Sequence, residues 1–248
     1  MKAFVAGLLL LSAACFAQDP IPAGTILPVQ LNTSLNSRKS KAGQPVTGRI
    51  MQDVPIAPGK SIRAGAKVYG RVVSVAAAVN GVAAQLSFRF DELRFAHKAL
   101  PITTNLRALA SMMDVEDAQV PPTGTDRGTP WAWMTRNLIG GEVAYGDGGP
   151  VARGDQILGQ ALYGGVLLPV RVKPGSQCRG DVAGNTQLQA MWVFSSDACG
   201  VYGLDGIQIS HAGRTAPVGQ ITLSAAQGNV DVTAGSGMLL RVTPDPAK

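Results

Sequence analysis

The chain is short of the residues that most often carry chemistry near neutral pH. Its 248 residues include two histidines and three cysteines, and only 5% are aromatic. Histidine is the usual proton carrier in that range. His97 lies in RFAHKAL between two strand-like runs and reads as a turn residue. His211 ends a strand beside Ser210, and neighbours on a strand point to opposite faces, so no nucleophile and base pair forms there. The glycine-rich phrases GGEVAYGDGGP and AGSGMLLRV lack the lysine and hydroxyl residue of a phosphate-binding loop and open no evident helix. Asp114, Glu116 and Asp117 have neither the ligand spacing nor the turn glycine of a calcium loop, and read as a solvated loop. No cofactor and no metal site is expected.

Charge is also sparse, at 15% of residues, but unbalanced: 22 Lys and Arg face 16 Asp and Glu, for a formal charge of +6. The cations are scattered. Only SRKSK, with Arg38, Lys39 and Lys41, forms a cluster, and it lacks the interleaved aromatics of a single-strand nucleic-acid groove. Nucleic acid is therefore not the expected partner, and the cluster reads as a solvated loop.

Long apolar runs are missing after the first residues, so no later segment qualifies as a membrane helix. At the start, Lys2 precedes AFVAGLLLLSAA, which is too short to span a bilayer and has the form of a secretory signal peptide. Residues 1–17 are expected to be removed after Ala17, leaving Gln18 first and a periplasmic or secreted chain. The alternative makes Cys15 a lipid-modified first residue, giving an outer-membrane lipoprotein, although Ser12 stands where a lipoprotein signal normally has Leu. Membrane association is expected only in that case. Removal of the leader leaves Cys178 and Cys199, an even pair in an oxidising compartment and without a nearby second metal ligand. One disulfide closing a loop of about 22 residues is expected to contribute on the order of 3 kcal/mol.

What the chain has in quantity is punctuation, with 30 glycines and 16 prolines. Between them, apolar and polar residues alternate. In LSFRFDEL, Leu86, Phe88 and Phe90 point one way while Ser87, Arg89 and Asp91 point the other. This pattern predicts a mainly β fold, a barrel or sandwich of about ten to twelve short strands, including Leu27 to Leu31, Leu100 to Thr104, Met191 to Phe194 and Met238 to Val242. Pro28 cannot donate a ladder bond, which predicts an edge or a bulge for its strand. Helical spacing of Leu106, Leu109 and Met113 predicts one short helix, and Thr129, Pro130 and Gly140 bracket a second over WAWMTRNLI. The turn-rich PPTGTDRGTP between them divides the single domain 18–248 into two possible halves near residues 115–130.

One phrase occurs twice: IRAGAKVYGRV from Ile62 and VARGDQILGQA from Val151, with shorter relatives in IPAGTILPVQL and VTAGSGMLLRV. Each reads as a glycine turn feeding a strand, and the outer two predict that the terminal strands are neighbours. Duplication and generic β patterning both account for the repetition. The RGD of Arg153 to Asp155 falls at one of these turns, which explains it structurally.

The phrases IPAGTILPVQLNTSLNS, GQPVTGRIMQDV, GKSIRAGAKVYGRV and LSFRFDEL, in that order, resemble the opening of the periplasmic β-barrel of the conjugal-transfer and type IV secretion scaffold family (TrbI-like). NVDVTAGSGMLLRVTPD resembles its closing strand. The likeness covers roughly Ile21 to Asn105 and the last twenty residues. It implies a periplasmic barrel-type module without the inner-membrane helix, proline-rich linker or pore-forming helices of those scaffolds, since MMDVEDAQVPPTGTDRGTP is polar where the pore helices stand.

The expected function is therefore binding or scaffolding of envelope proteins, without catalysis, with strand addition as the means of capture. Trp131 and Trp133 lie about 200 degrees apart on a helix, so one can be core while the other meets a partner, and Arg38, Lys39 and Lys41 are further candidate contacts. Two alternatives stand beside this reading: a glycan-directed enzyme using Asp114, Glu116, Asp147 or Asp205, and a polyanion-binding module using the basic cluster.

Overall fold

A computed structural model describes residues 21–120, 135–146, 148–172, 185–210 and 218–244. Within them the chain is mainly β, with twenty strands and one helix. The first nine strands are β1 (Ile26–Leu31), β2 (Leu35–Asn36), β3 (Pro45–Ile50), β4 (Val54–Ala57), β5 (Lys60–Ile62), β6 (Lys67–Ala76), β7 (Ala84–Phe95), β8 (Lys98–Pro101) and β9 (Thr104–Ala110). Helix α1 (Met112–Gln119) follows, then β10 (Thr135–Asn137), β11 (Val143–Tyr145), β12 (Pro150–Arg153), β13 (Gln156–Leu162), β14 (Gly165–Val170) and β15 (Asn185–Ala190). The last are β16 (Gly200–Tyr202), β17 (Ile207–Ile209), β18 (Ile221–Ala225), β19 (Asp231–Val232) and β20 (Gly237–Val242).

Ten strands form one sheet in the order β16, β9, β20, β1, β3, β6, β7, β18, β17, with β8 also paired to β7. All its ladders are antiparallel except β16 with β9. Its two ends, β16 and β17, lie against one another. No ladder joins them, so the closed barrel implied by the resemblance is not formed. A second sheet is a six-stranded meander from β10 to β15. It occupies residues between β9 and β16, so the smaller sheet is inserted into the chain path of the larger one. A single cluster of buried side chains runs through both, from Val29, Phe88 and Leu240 to Val151, Leu168 and Phe194.

The terminal strands are neighbours, as the outer glycine phrases predict: β1 pairs with β20 from Ile26 opposite Arg241 to Gln30 opposite Gly237. Pro28 is neither at a sheet edge nor at a bulge, because β1 also pairs with β3 on its other side. The missing donor falls where the β1–β3 ladder ends. The Met51 N–H still donates to the Pro28 carbonyl at 3.0 Å, and the Ile26 N–H beyond it donates to the Gln189 side chain at 3.0 Å. Proline thus costs one bond at the end of a ladder and interrupts nothing within it.

Three of the glycine phrases are one structural motif. In IPAGT, IRAGA and VTAGS, the residue after the glycine donates its N–H back three residues, to the carbonyls of Pro22, Arg63 and Thr233. The glycine N–H donates in each case to a strand neighbouring the one that follows: Gly24 to Val242, Gly65 to Ile50 and Gly235 to Leu31. All three glycines have positive φ, between 89 and 95°, where a side chain is strained. VARGD differs: Gly154 and Asp155 form the two-residue link of the β12–β13 hairpin, with Arg153 opposite Gln156. What the two long phrases do share is their second glycine. A Cβ on Gly70 would lie 1.8 Å from the Arg89 carbonyl oxygen, and one on Gly159 would lie 2.1 Å from that of Leu167.

Three segments depart from their sequence patterns. Asn105 to Ala110, expected as helix, is β9, whose seven residues are all buried. A strand covered on both faces loses its period of two, and the leucines three apart then mimic a helix. The helix starts afterwards, at Ser111, whose side chain accepts the Asp114 N–H; the acidic stretch expected as loop is the body of α1. Thr135 to Asn137, expected in the second helix, is β10, and Gly140 and Gly141 lie in the link to β11 rather than at a helix end. The tryptophan half of that expectation lies outside the described residues. Met191 to Phe194, expected as a strand, is a buried loop in which Trp192 has φ +54°.

Gly70→Ala and Gly159→Ala are each expected to destabilise the protein by about 1–3 kcal/mol, the typical cost of overpacking. Gly43→Ala, where the added methyl meets nothing within 4 Å, is expected to cost about 1 kcal/mol through its positive φ alone. Urea unfolding of the three variants checks the order.

Candidate functional site

Among the described residues, a close group of polar side chains lies where the inserted sheet meets the loop that returns to the larger one. Glu142 immediately precedes β11 and is wholly buried. Arg153 ends β12, and Ser195, Ser196 and Asp197 lie in the loop after β15. Glu142 accepts from the Ser196 N–H at 2.9 Å, the Ser196 hydroxyl at 2.5 Å and Arg153 Nη2 at 3.2 Å. Its own N–H donates to Ser195 Oγ at 3.2 Å. Arg153 grips Asp197 with both terminal nitrogens, each at 2.7 Å. That bond to the Asp197 carboxylate holds Arg153 above the ordinary guanidinium value. Gly140 is required beside this group, since a Cβ there would sit 2.8 Å from Ser195 Oγ.

A buried carboxylate persists only when its lone pairs are satisfied, and both carboxylates here are buried while Arg153 is part-exposed. Here Glu142 takes three donors and Arg153 binds both carboxylates, so the carboxyl oxygens are turned inward on neighbouring protein groups. The geometry makes a clamp between β11, β12 and the return loop. It does not present a base to a substrate.

The two sheets are joined by further polar pegs. Gln52, buried after β3, accepts the N–H groups of Trp192 and Val166 at 2.8 and 3.3 Å and donates to the Val166 carbonyl at 2.9 Å. Gln189 of β15 reciprocates on Ile26. Arg107 of β9 donates to the Arg171 carbonyl at 2.7 Å; burial lowers its pKa to about 10. Within the return segment itself, the Tyr202 hydroxyl oxygen accepts the Cys199 N–H at 3.0 Å, and burial raises the Tyr202 pKa.

Two clefts among the described residues bear on the site. One, of about 540 Å³, lies between α1, the β10–β11 link and β16, and is lined by Asp114, Asp117, Asn137, Gly140, Tyr202 and Gly203 among others. The second, of about 740 Å³, lies away from the clamp, where the start of β6 meets the β7–β8 hairpin, and gathers Arg63, Lys67, Arg94, His97 and Lys98.

The residues singled out from sequence are dispersed. Arg38, Lys39 and Lys41 are exposed in the turn after β2, where the Asn36 side chain accepts the N–H groups of Arg38 and Lys39. His97 is in the β7–β8 turn with φ +63°. Asp114, Glu116 and Asp117 share α1, and Asp205 is in the turn before β17. Cys199 takes part in a disulfide; Cys178, the partner expected for it, lies outside the described residues, as do Cys15, Trp131, Trp133, Asp147 and His211. Among the described residues, no group of three or more His, Cys, Asp or Glu side chains is arranged to hold a metal ion. Sequence reasoning missed Glu142, Asp197, Gln52 and Arg107, which are isolated along the chain and meet only through folding. One local signal was present: Ser111 to Asp114 has the form of a capping box opening.

No family model matches the chain, and no curated protein matches it. The likeness to the secretion-scaffold barrel rests on the quoted phrases alone.

Arg153→Ala leaves two buried carboxylates without their cation; because Arg153 itself is 40% exposed, the expected cost is about 1–3 kcal/mol, less than for a fully buried pair. Arg153→Lys, which keeps the charge but not the two-pronged grip on Asp197, is expected to cost less than Arg153→Ala. Equal losses in denaturant midpoint would contradict the ion-pair assignment.

Proposed function

We propose that the protein is a non-catalytic binding and scaffold module of the cell envelope, secreted by its leader and stabilised by a Cys178–Cys199 disulfide. The reading is supported by the outward side of β13, β14 and β15. Their sequences, QILGQAL, GVLLPV and NTQLQA, contain no charged residue. Ile157 and Leu188 are 69% and 47% exposed, and Tyr163 at the β13–β14 turn is 93% exposed. Leu158, Leu162, Leu167 and Pro169 are half-buried beside them. Exposed apolar side chains gathered on a sheet suit contact with another protein, and strand addition at a sheet edge is the proposed means of capture. The likeness to the periplasmic scaffold family is consistent with such a role.

The glycan-hydrolase alternative is weaker. A glycosidase places two carboxyl groups on opposite sides of the scissile bond. Asp114 and Asp117, which line one cleft, are one turn apart on the same helix and therefore share a wall.

The experiment is proximity crosslinking in the native envelope with a photoreactive residue at position 157 or 188, compared with one at Val79 in the β6–β7 loop. The expected result is one protein species captured from both sheet positions and lost in Tyr163→Asp, with the melting temperature unchanged. Capture of the same species from all three positions, or of none from the sheet, would overturn the proposal.

A further inference from the structure

The larger sheet carries a row of cations that outnumber the carboxylates beside them. Register places Arg49 of β3 directly opposite Lys67 of β6, and Lys67 directly opposite Arg94 of β7. Directly opposed residues share a face, and like charges so placed destabilise a sheet. All three are exposed. The row continues into the 740 Å³ cleft, whose walls add Arg63, His97 and Lys98 and contain no carboxylate.

Two carboxylates border the site and neutralise part of it. Asp53 pairs with Arg63 at 2.5 Å, and Glu92 pairs with Arg94. Gln30 accepts from Arg49 at 2.8 Å, and Arg94 lies 4.4 Å over the Tyr69 ring. These contacts give three of the guanidinium groups a neighbour and leave the cations in excess, five against two. Lys67 stands in the row between Arg49 and Arg94, and Lys98, opposite Phe95 in the β7–β8 hairpin, lines the cleft beside it.

We propose that this row and cleft bind a linear polyanion with closely spaced phosphate groups, lying across β3, β6 and β7. Adjacent strands are about 4.8 Å apart, so the row offers one cation per strand to a chain crossing the sheet. A concave cleft suits a chain better than a bilayer, which requires a flat or convex face. Stacking of nucleic-acid bases has no platform: Tyr69 is covered by Arg94, and Phe95 is half-buried.

The test uses long-chain inorganic polyphosphate and the purified full chain in about 0.1 M salt, where surface charges more than about 10 Å apart are screened. Lys67→Ala/Lys98→Ala is expected to weaken binding about tenfold or more and to flatten its salt dependence by up to two contacts. Lys67→Arg/Lys98→Arg is expected to bind as the parent does. Arg38→Ala/Lys39→Ala/Lys41→Ala, which removes more charge at a distant turn, is expected to stay within about twofold. Absence of binding by the parent overturns the proposal, as does an equal loss in the turn variant, which would reduce the effect to net charge. Tighter binding to single-stranded DNA or to phosphatidylglycerol vesicles than to polyphosphate also overturns it. Thermal melts of each variant separate loss of binding from loss of fold.

Discussion

The fold depends on one non-local seam, the pairing of β1 with β20. These strands are separated by more than two hundred residues, yet β1 lies between β20 and β3, and β20 between β1 and β9. Closing so long a loop costs entropy that only burial can offset. The seam buries Ile26, Leu27, Val29, Leu31, Met238, Leu239, Leu240 and Val242. It is bracketed by two copies of the same Ala-Gly turn, with Gly24 donating to Val242 at one end and Gly235 to Leu31 at the other. The third copy, at Gly65, sets the adjoining edge of β3 and β6 in the same way. Repetition in this chain is therefore repetition of a ladder terminus, a device for starting a strand at a fixed register.

The inserted meander is attached to that frame by polar bonds as well as by apolar contact. Gln52 reaches from the larger sheet into β14 and the Trp192 loop, while Gln189 reaches back to Ile26. Each glutamine satisfies backbone groups that an otherwise apolar junction would leave bare, and a bare buried N–H costs about 1–3 kcal/mol. Apolar surfaces alone tolerate sliding; these bonds admit one alignment. The Glu142, Arg153 and Asp197 clamp then holds the return loop, and through it β16, against the meander.

Much of this was legible in the sequence, and the exceptions have physical causes. LSFRFDEL alternates because β7 has one buried face, with Leu86, Phe88 and Phe90 in the core. NLRALA does not alternate because β9 is buried on both faces, and its leucines imitate a helix. Pro28 argued for an edge because sequence shows a missing donor but not where a ladder stops. TRNLI read as helix because Thr129, Pro130 and the two glycines formed a plausible frame, while pairing with β11 decided the outcome. The basic cluster visible in sequence, Arg38 to Lys41, is a solvated turn. The cations that converge, Arg49, Lys67 and Arg94, lie about 18 and 27 residues apart along the chain, and only register brings them together. Contiguity is what a sequence displays; cross-strand neighbourhood has to be folded first.

The seam is tested most directly by native-state hydrogen exchange. If β1–β20 pairing holds the larger sheet together, the amides of Val29, Leu31 and Met238 exchange only through global unfolding, with an opening free energy equal to that measured by denaturant. Opening of these amides at a markedly lower free energy, while β6 and β7 stay protected, would show the ends fraying independently and would contradict the account.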